Sequence, residues 1–220
     1  MTTTFPNAPK LLKAGLVLLD KDSQLPRKII VLQYNPETLT RTLAPQVIAA
    51  EGGDRSSPLR LKAPPTETIQ MDAEIDATDQ LEFPDQNREA VDSGIHRELA
   101  ALESMIYPPS DRLIANNTFA NLGTLEIAPV EAPMTLFVWS KLRIVPVRVT
   151  EFSVTEDAFD PALNPIRAKV TLGLRVLNVN DLGFEHRGGS IFMAYLRAKE
   201  QLAHSLRSGT LGELGIGRLP

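Results

Sequence analysis

Residues 133–181 constrain the fold more than any other part of this chain: a strand containing Trp139 is followed by two long segments of period-two hydrophobicity, joined by a proline-punctuated turn. In 167–178, Ala168, Val170, Leu172, Leu174 and Val176 point one way while Lys169, Thr171, Gly173 and Arg175 point the other, the pattern of a strand with one buried face. Residues 134–139 and 143–155 read as two further strands. In the first of these Phe137 and Trp139 share one face and Leu136 and Val138 the other, so the strand is apolar on both sides and needs a cover on each. A helix can supply one cover and a neighbouring subunit the other. Nothing in the stretch has the pattern of a chemical site, which points to a β-built assembly subunit.

The rest of the chain fits a mainly β fold with flanking helices, of the β-sandwich or barrel type. Residues 14–20 and 28–34 read as a hairpin across the polar turn DSQLPRK. Tyr34-Asn35-Pro36 bends the chain, because proline lacks a ladder donor and restricts the residue before it, and a strand resumes at 38–43. The segment 51–65, EGGDRSSPLRLKAPP, reads as a long polar loop suited to binding or assembly. After it Ile69, Met71, Ala73 and Ile75 alternate with Gln70, Asp72, Glu74 and Asp76, a half-exposed strand with an acidic face.

Beyond Ser93, the spacing of Ile95, Leu99, Leu102 and Ile106 predicts a helix that Pro108-Pro109 stop. Residues 109–133 read as irregular, apart from a short strand at 124–128. Ile191, Ala194, Tyr195, Leu202 and Leu206 predict an amphipathic helix over 188–207 with a basic outer face. The last thirteen residues contain four glycines, too many for regular structure without a partner.

Composition removes several function classes. With no cysteine, the chain has no disulfides, thiolate metal sites or cysteine nucleophiles. A net charge of -4 gives no basic footprint for nucleic acid. The apolar run 14–19 is cut off by Asp20, Lys21 and Asp22, well short of a secretory or spanning segment, so a cytoplasmic product without a membrane anchor is expected. His96, His186 and His204 have no metal-binding spacing, and neither a metal nor a cofactor is expected. His96 and His204 read as solvated helix residues. His186, in GFEHRGG, is the one histidine beside an acid and flexible backbone; Glu185 or Asp181 could orient it as a base, but no nucleophile motif accompanies it. Gly188-Gly189-Ser190 could hold an anion at a helix start, and equally form a glycine turn with a serine cap. Neighbouring acids such as Glu156 and Asp157 arise by chance among 27 carboxylates. Trp139 could stack on a carbohydrate, with core or interface packing as the simpler reading.

In order along the chain, VLQYNPETLT, APPTETIQMDAEI, ELAALESMIYP and PMTLFVWSKLRIVPVRVTEFSVTEDAFDPALNPIRAKVTLGLRVL form a recognisable series. It resembles the tube-like domain of contractile injection system baseplate proteins, a family that often ends in a lysin-motif module and joins tube to spike. Tyr34-Asn35-Pro36 stands where that family has an F-N-P-like turn. Pro65-Thr66-Glu67-Thr68 matches a P-E-T-like strand start, and Leu99 to Pro108 match a helix running into Tyr-Pro. The most specific match is supplied by Pro133, Phe137, Trp139, Phe152, Phe159, Asn164, Pro165, Arg167 and Ala168. Two features depart from the pattern: Ser140 replaces a glycine, and no lysin-motif module follows Asp181.

The resemblance implies a tail-tube-like domain over 1–181 and a C-terminal helix with its tail over 182–220. It further implies a non-enzymatic subunit forming a ring, commonly six-fold, at the tube–spike junction. The partners would be other copies of the chain and tube, spike and baseplate subunits, within a particle assembled in the cytoplasm and then released or membrane-associated. A tube-terminating or cap subunit is the nearest alternative. A hydrolase using His186 and a carbohydrate-binding module centred on Trp139 stand in other classes.

Overall fold

The computed structural model describes residues 11–20, 23–47, 60–121 and 132–219. Its strands are β1 (Gly15–Leu19), β2 (Pro26–Val31), β3 (Leu39–Val47), β4 (Leu61–Asp76), β5 (Thr135–Ser140), β6 (Arg143–Phe159) and β7 (Pro165–Val176). Its helices are α1 (Thr78–Leu81), α2 (Arg88–Ser93), α3 (His96–Glu103), α4 (Ser110–Asn121), α5 (Val179–Leu182) and α6 (Arg187–Ser205), followed by a 3-10 turn at Leu211–Leu214. The fold is mainly β with flanking helices, as the sequence implies. All seven strands belong to one antiparallel sheet in the order β2-β1-β5-β6-β7-β4-β3.

The two edge strands, β2 and β3, are consecutive in the chain, so the sheet curls until its edges approach one another. Gln33, two residues past β2, laces the gap. Its Oε1 accepts the N–H of Asp76 at 2.9 Å and its Nε2 donates to the Asp76 carbonyl at 2.6 Å, so a side-chain amide takes the place of a ladder partner at the end of β4. One core cluster fills the concave face. It holds Leu16, Leu18, Ile69, Met71, Phe137, Val145, Val147, Val170, Leu172 and Leu174 from the strands, Leu99 and Leu102 from α3, and Phe192 and Tyr195 from α6. The alternation in β4 and β7 predicts this face correctly: Ile69, Val170, Leu172 and Leu174 are fully buried.

Three expectations are corrected. Residues 61–65 extend β4 instead of closing the loop; only residues 51–59 of that loop lie outside the described residues. Pro64 and Pro65 are tolerated because β4 pairs with β7 only from Thr68 onward, so their missing donors fall where the strand has β3 alone beside it. The helix expected after Ser93 is α3, and Gly94 at φ +53° separates it from α2 before it. Within 109–133, residues Ser110–Asn121 form α4, whose apolar side chains lack the one-sided spacing that would reveal a helix. The glycine-rich end contains a 3-10 turn closed by a capping box between Thr210 and Glu213. The strand expected at 124–128 lies outside the described residues.

Candidate functional site

The residues of the matched series do not converge on one site; they hold separate joints of the fold. Asn35 accepts the Ala14 N–H on Oδ1 at 2.9 Å and donates from Nδ2 to the Leu12 carbonyl at 2.8 Å, fixing the chain just before β1, with Pro36 half-buried beside it. Asp160 closes the β6–β7 turn by accepting the N–H groups of Ala162 and Asn164 and the side-chain amide of Asn164, while Leu163 sits at φ +67°. Pro165 is buried, and its carbonyl accepts the Ile95 N–H at 2.8 Å. A Cβ on Gly94 would lie 2.1 Å from that same oxygen, so this close approach of α3 to the turn requires glycine. Pro133 leads into β5, its carbonyl accepting the Thr135 hydroxyl. Phe137 is fully buried and its ring centroid lies 6.0 Å from that of half-buried Trp139. Trp139 thus packs against the core, and no open aromatic platform is formed.

Tyr34 and Arg167 do share a surface. With Glu74, Asp76, Asp157 and Lys169 they line a shallow cleft of about 360 Å³. On this outer face the acids of β4 meet the bases of β7: Lys169 pairs diagonally with Asp72 at 2.7 Å, Thr171, directly opposite Asp72, donates to it at 2.8 Å, and Arg167, directly opposite Asp76, pairs with it at 2.9 Å. The bonds from Lys169 and Thr171 hold the Asp72 carboxyl below its ordinary range. At Asp76 burial pushes upward, but the bonds from Thr78 and Arg167 outweigh it and the net shift is again downward.

His186 is an N-cap. Its Nδ1 accepts the Gly188 N–H at 3.1 Å, which occupies the lone pair a base would use. Asp181 is turned elsewhere, capping Asn178 and pairing with Arg175 at 2.7 Å. The glycines that follow serve packing: a Cβ at Gly189 would lie 1.9 Å from the Gly183 carbonyl oxygen. His96 and His204 are exposed on α3 and α6, and among the described residues no cluster of His, Cys, Asp or Glu could hold a metal ion.

Glu67 is the feature the sequence reading missed. It is 4% exposed, yet it lies in phase with Ile69, Met71, Ala73 and Ile75 on the core face of β4. Arg41 of β3 donates to Oε1 from Nε at 2.8 Å and from Nη2 at 2.6 Å. From α6, Tyr195 donates its hydroxyl to Oε1 at 3.2 Å and Lys199 approaches Oε2 at 3.3 Å, its ammonium 4.1 Å from the centre of the Tyr195 ring. The group latches α6 onto β3 and β4. An acid in an otherwise apolar register was the available signal.

A family model described as contractile injection system tube protein matches residues 10–181. The chain belongs to that family. No curated protein matches it. A member of the tube family has a structural role in a phage tail-like particle and assembles with other particle subunits. Among the described residues, no helix is long and apolar enough to cross a membrane.

For a tube-family subunit the informative surfaces are apolar ones left uncovered, and two stand out. On the outer face of the sheet Val31, Gly15, Val138 and Ile144 form one cross-strand row, with Ile29, Val17, Leu136 and Pro146 as the row beside it; Gly15, Leu136 and Pro146 are buried, so the rows are open mainly at the β2 edge. Ile29 and Val31 are more than half exposed. The other surface is α4, which buries no residue and leaves Leu113, Ile114 and Phe119 exposed, continuous in the chain with exposed Ile106 and Tyr107.

Proposed function

We propose that the chain is a baseplate subunit that forms a ring, six-fold as such rings commonly are, at the junction of tube and spike. It joins other copies of itself laterally and tube, spike and baseplate subunits axially. The observation that carries this reading is the combination of a tube-family domain ending at residue 181 with a C-terminal extension that a repeating tube would have to accommodate in every ring. That extension places α6 against the domain's own core and leaves Leu206, Leu211, Leu214 and Leu219 exposed beyond it. A terminal ring has one free axial face on which such an extension can meet a different partner. The joints made by Asn35, Asn164, Pro165 and Arg167 serve this role by holding the strand ends and α3 rigid, so that force along the particle axis passes through packed backbone.

The function is mechanical, and its residues act by position. Particles purified from cells lacking the chain should be absent or incomplete, with tube and spike separated, and the wild-type gene should restore them. Complete particles in its absence would refute the reading. A particle that loses its far end while keeping its spike would move the chain to the tube-terminating position.

A further inference from the structure

Every described residue from Glu200 to Leu219 is exposed, so the direction in which the C-terminal extension leaves the body is set within the earlier part of α6. That part is held at two points. The first is its start, where His186 caps the helix, Arg187 donates to the Gln24 carbonyl and Gly189 lies against the Gly183 carbonyl. The second is Glu67, which Tyr195 and Lys199 meet roughly 10 Å further along the axis, at the α-helical rise per residue.

Between the two points Phe192 enters the core, and Met193 and Leu196 pack against it. Apolar contact of this kind is non-directional, so by itself it presses α6 onto the sheet and leaves it free to tilt about its start. The cluster around Glu67 is different. Arg41 on β3 donates twice to Oε1 and once, at 3.0 Å, to the Tyr195 hydroxyl; that hydroxyl in turn donates to Oε1, while Lys199 meets Oε2. Each bond has a length and an angle to satisfy, and bonds to a charged group are shorter and stronger than neutral ones. A buried carboxylate is also a poor stabiliser, since an apolar side chain in its place is often as good or better. What the acid adds, and an apolar residue could not, is a fixed position for α6 against the β3 edge of the sheet.

We infer that Arg41, Glu67, Tyr195 and Lys199 form an aiming cluster, which fixes the axis of α6 so that the extension, with its exposed Leu206 and Leu214, leaves the body in one direction. Glu67 is thereby a positioning residue. The inference goes beyond the ring reading above and holds whichever ring the chain builds.

The chain has no cysteine, so two introduced ones can carry spin labels without interference. His204→Cys near the end of α6 and Thr155→Cys on the outer face of β6 are both at exposed positions, and pulsed double electron resonance on the full chain reads the distribution of distances between them. In the otherwise wild-type chain a single narrow distribution is expected. Tyr195→Phe with Lys199→Met removes the α6 half of the cluster while keeping the ring, the aliphatic stem and the Arg41–Glu67 pair, and it should broaden the distribution. Lys199→Met alone is the milder form if that pair does not fold. Phe192→Ala should lower the melting temperature yet leave the distribution narrow, because the cluster is intact; Phe192→Leu replaces it if the alanine variant does not fold. A broad distribution in the wild type, a cluster variant as narrow as the wild type, or a Phe192 variant as broad as the cluster variant would each overturn the inference.

Discussion

Helices α6 and α4 use their apolar residues in opposite ways. In α6, Phe192 and Tyr195 enter the core, the two rings meet edge to face with centroids 6.5 Å apart, and Tyr195 and Lys199 reach the buried carboxylate of Glu67. In α4 nothing is buried. The first helix is part of the subunit's own stability, and the second adds no buried side chain to it. The sheet's outer face divides the same way. Over β4 and β7 it is a ladder of matched charges that needs no further cover, whereas at the β2 edge it exposes the apolar Ile29 and Val31.

The sharpest way to break this contrast is to truncate one residue on α6. Phe192→Ala should cost about 3–5 kcal/mol, the usual range for emptying a buried aromatic site, and chemical denaturation of the isolated chain measures it. A loss below about 1 kcal/mol, within the range of surface substitutions, would mean that α6 is no more integral than α4. Glu67→Ala should come next. It removes the buried member of the latch and leaves Arg41 and Lys199 partly exposed, able to regain water. The expected loss is therefore nearer the value of hydrogen bonds to a charged group, about 1.5–3 kcal/mol, than that of an orphaned buried charge. Glu67→Gln, which keeps an acceptor for Tyr195, should lose less.

On α4 the expectation reverses. Leu113→Ser with Ile114→Ser should change the stability of the isolated chain by no more than about 0.5 kcal/mol per site. A large drop in melting temperature would contradict the contrast directly.

The smallest effect should come from acid. The folded pKa values of Asp72 and Asp76 both lie below the unfolded one, so the stability they contribute is complete above the ordinary aspartate range and is lost as pH falls through the lowered folded values. Since the Lys169–Asp72 pair is exposed and the Arg167–Asp76 pair partly so, solvent screening keeps this contribution small. Asp72→Asn with Asp76→Asn should slightly flatten the fall in melting temperature on acidification, and an identical slope would show that the ladder contributes nothing.

How far the sequence reveals this structure depends on whether a residue's partner is local. The alternation in β4 and β7 gave the core face, and the spacing of Leu99 and Leu102 gave α3, because both patterns lie within one element. The placement of α6 was hidden because the residue that fixes it, Glu67, is distant in the chain and looks like the start of a polar strand. The closing of the sheet by Gln33 was hidden for the same reason: a glutamine in a turn carries no sign that its amide will pair with Asp76. Helix α4 escaped notice because its apolar residues Leu113, Ile114 and Phe119 are spread around its axis and leave no one-sided spacing. His186 drew attention through its acidic neighbours, but the backbone turned Asp181 toward Arg175 and left the imidazole to cap α6.

The central claim is that the chain forms a terminal ring beside the spike, and its position within the intact particle tests that most directly. The C-terminal tail is exposed and can carry a gold-binding tag, imaged by electron microscopy on purified particles. Label confined to a single level at the spike end of the tube is the predicted result. Label repeated along the whole tube would contradict the claim.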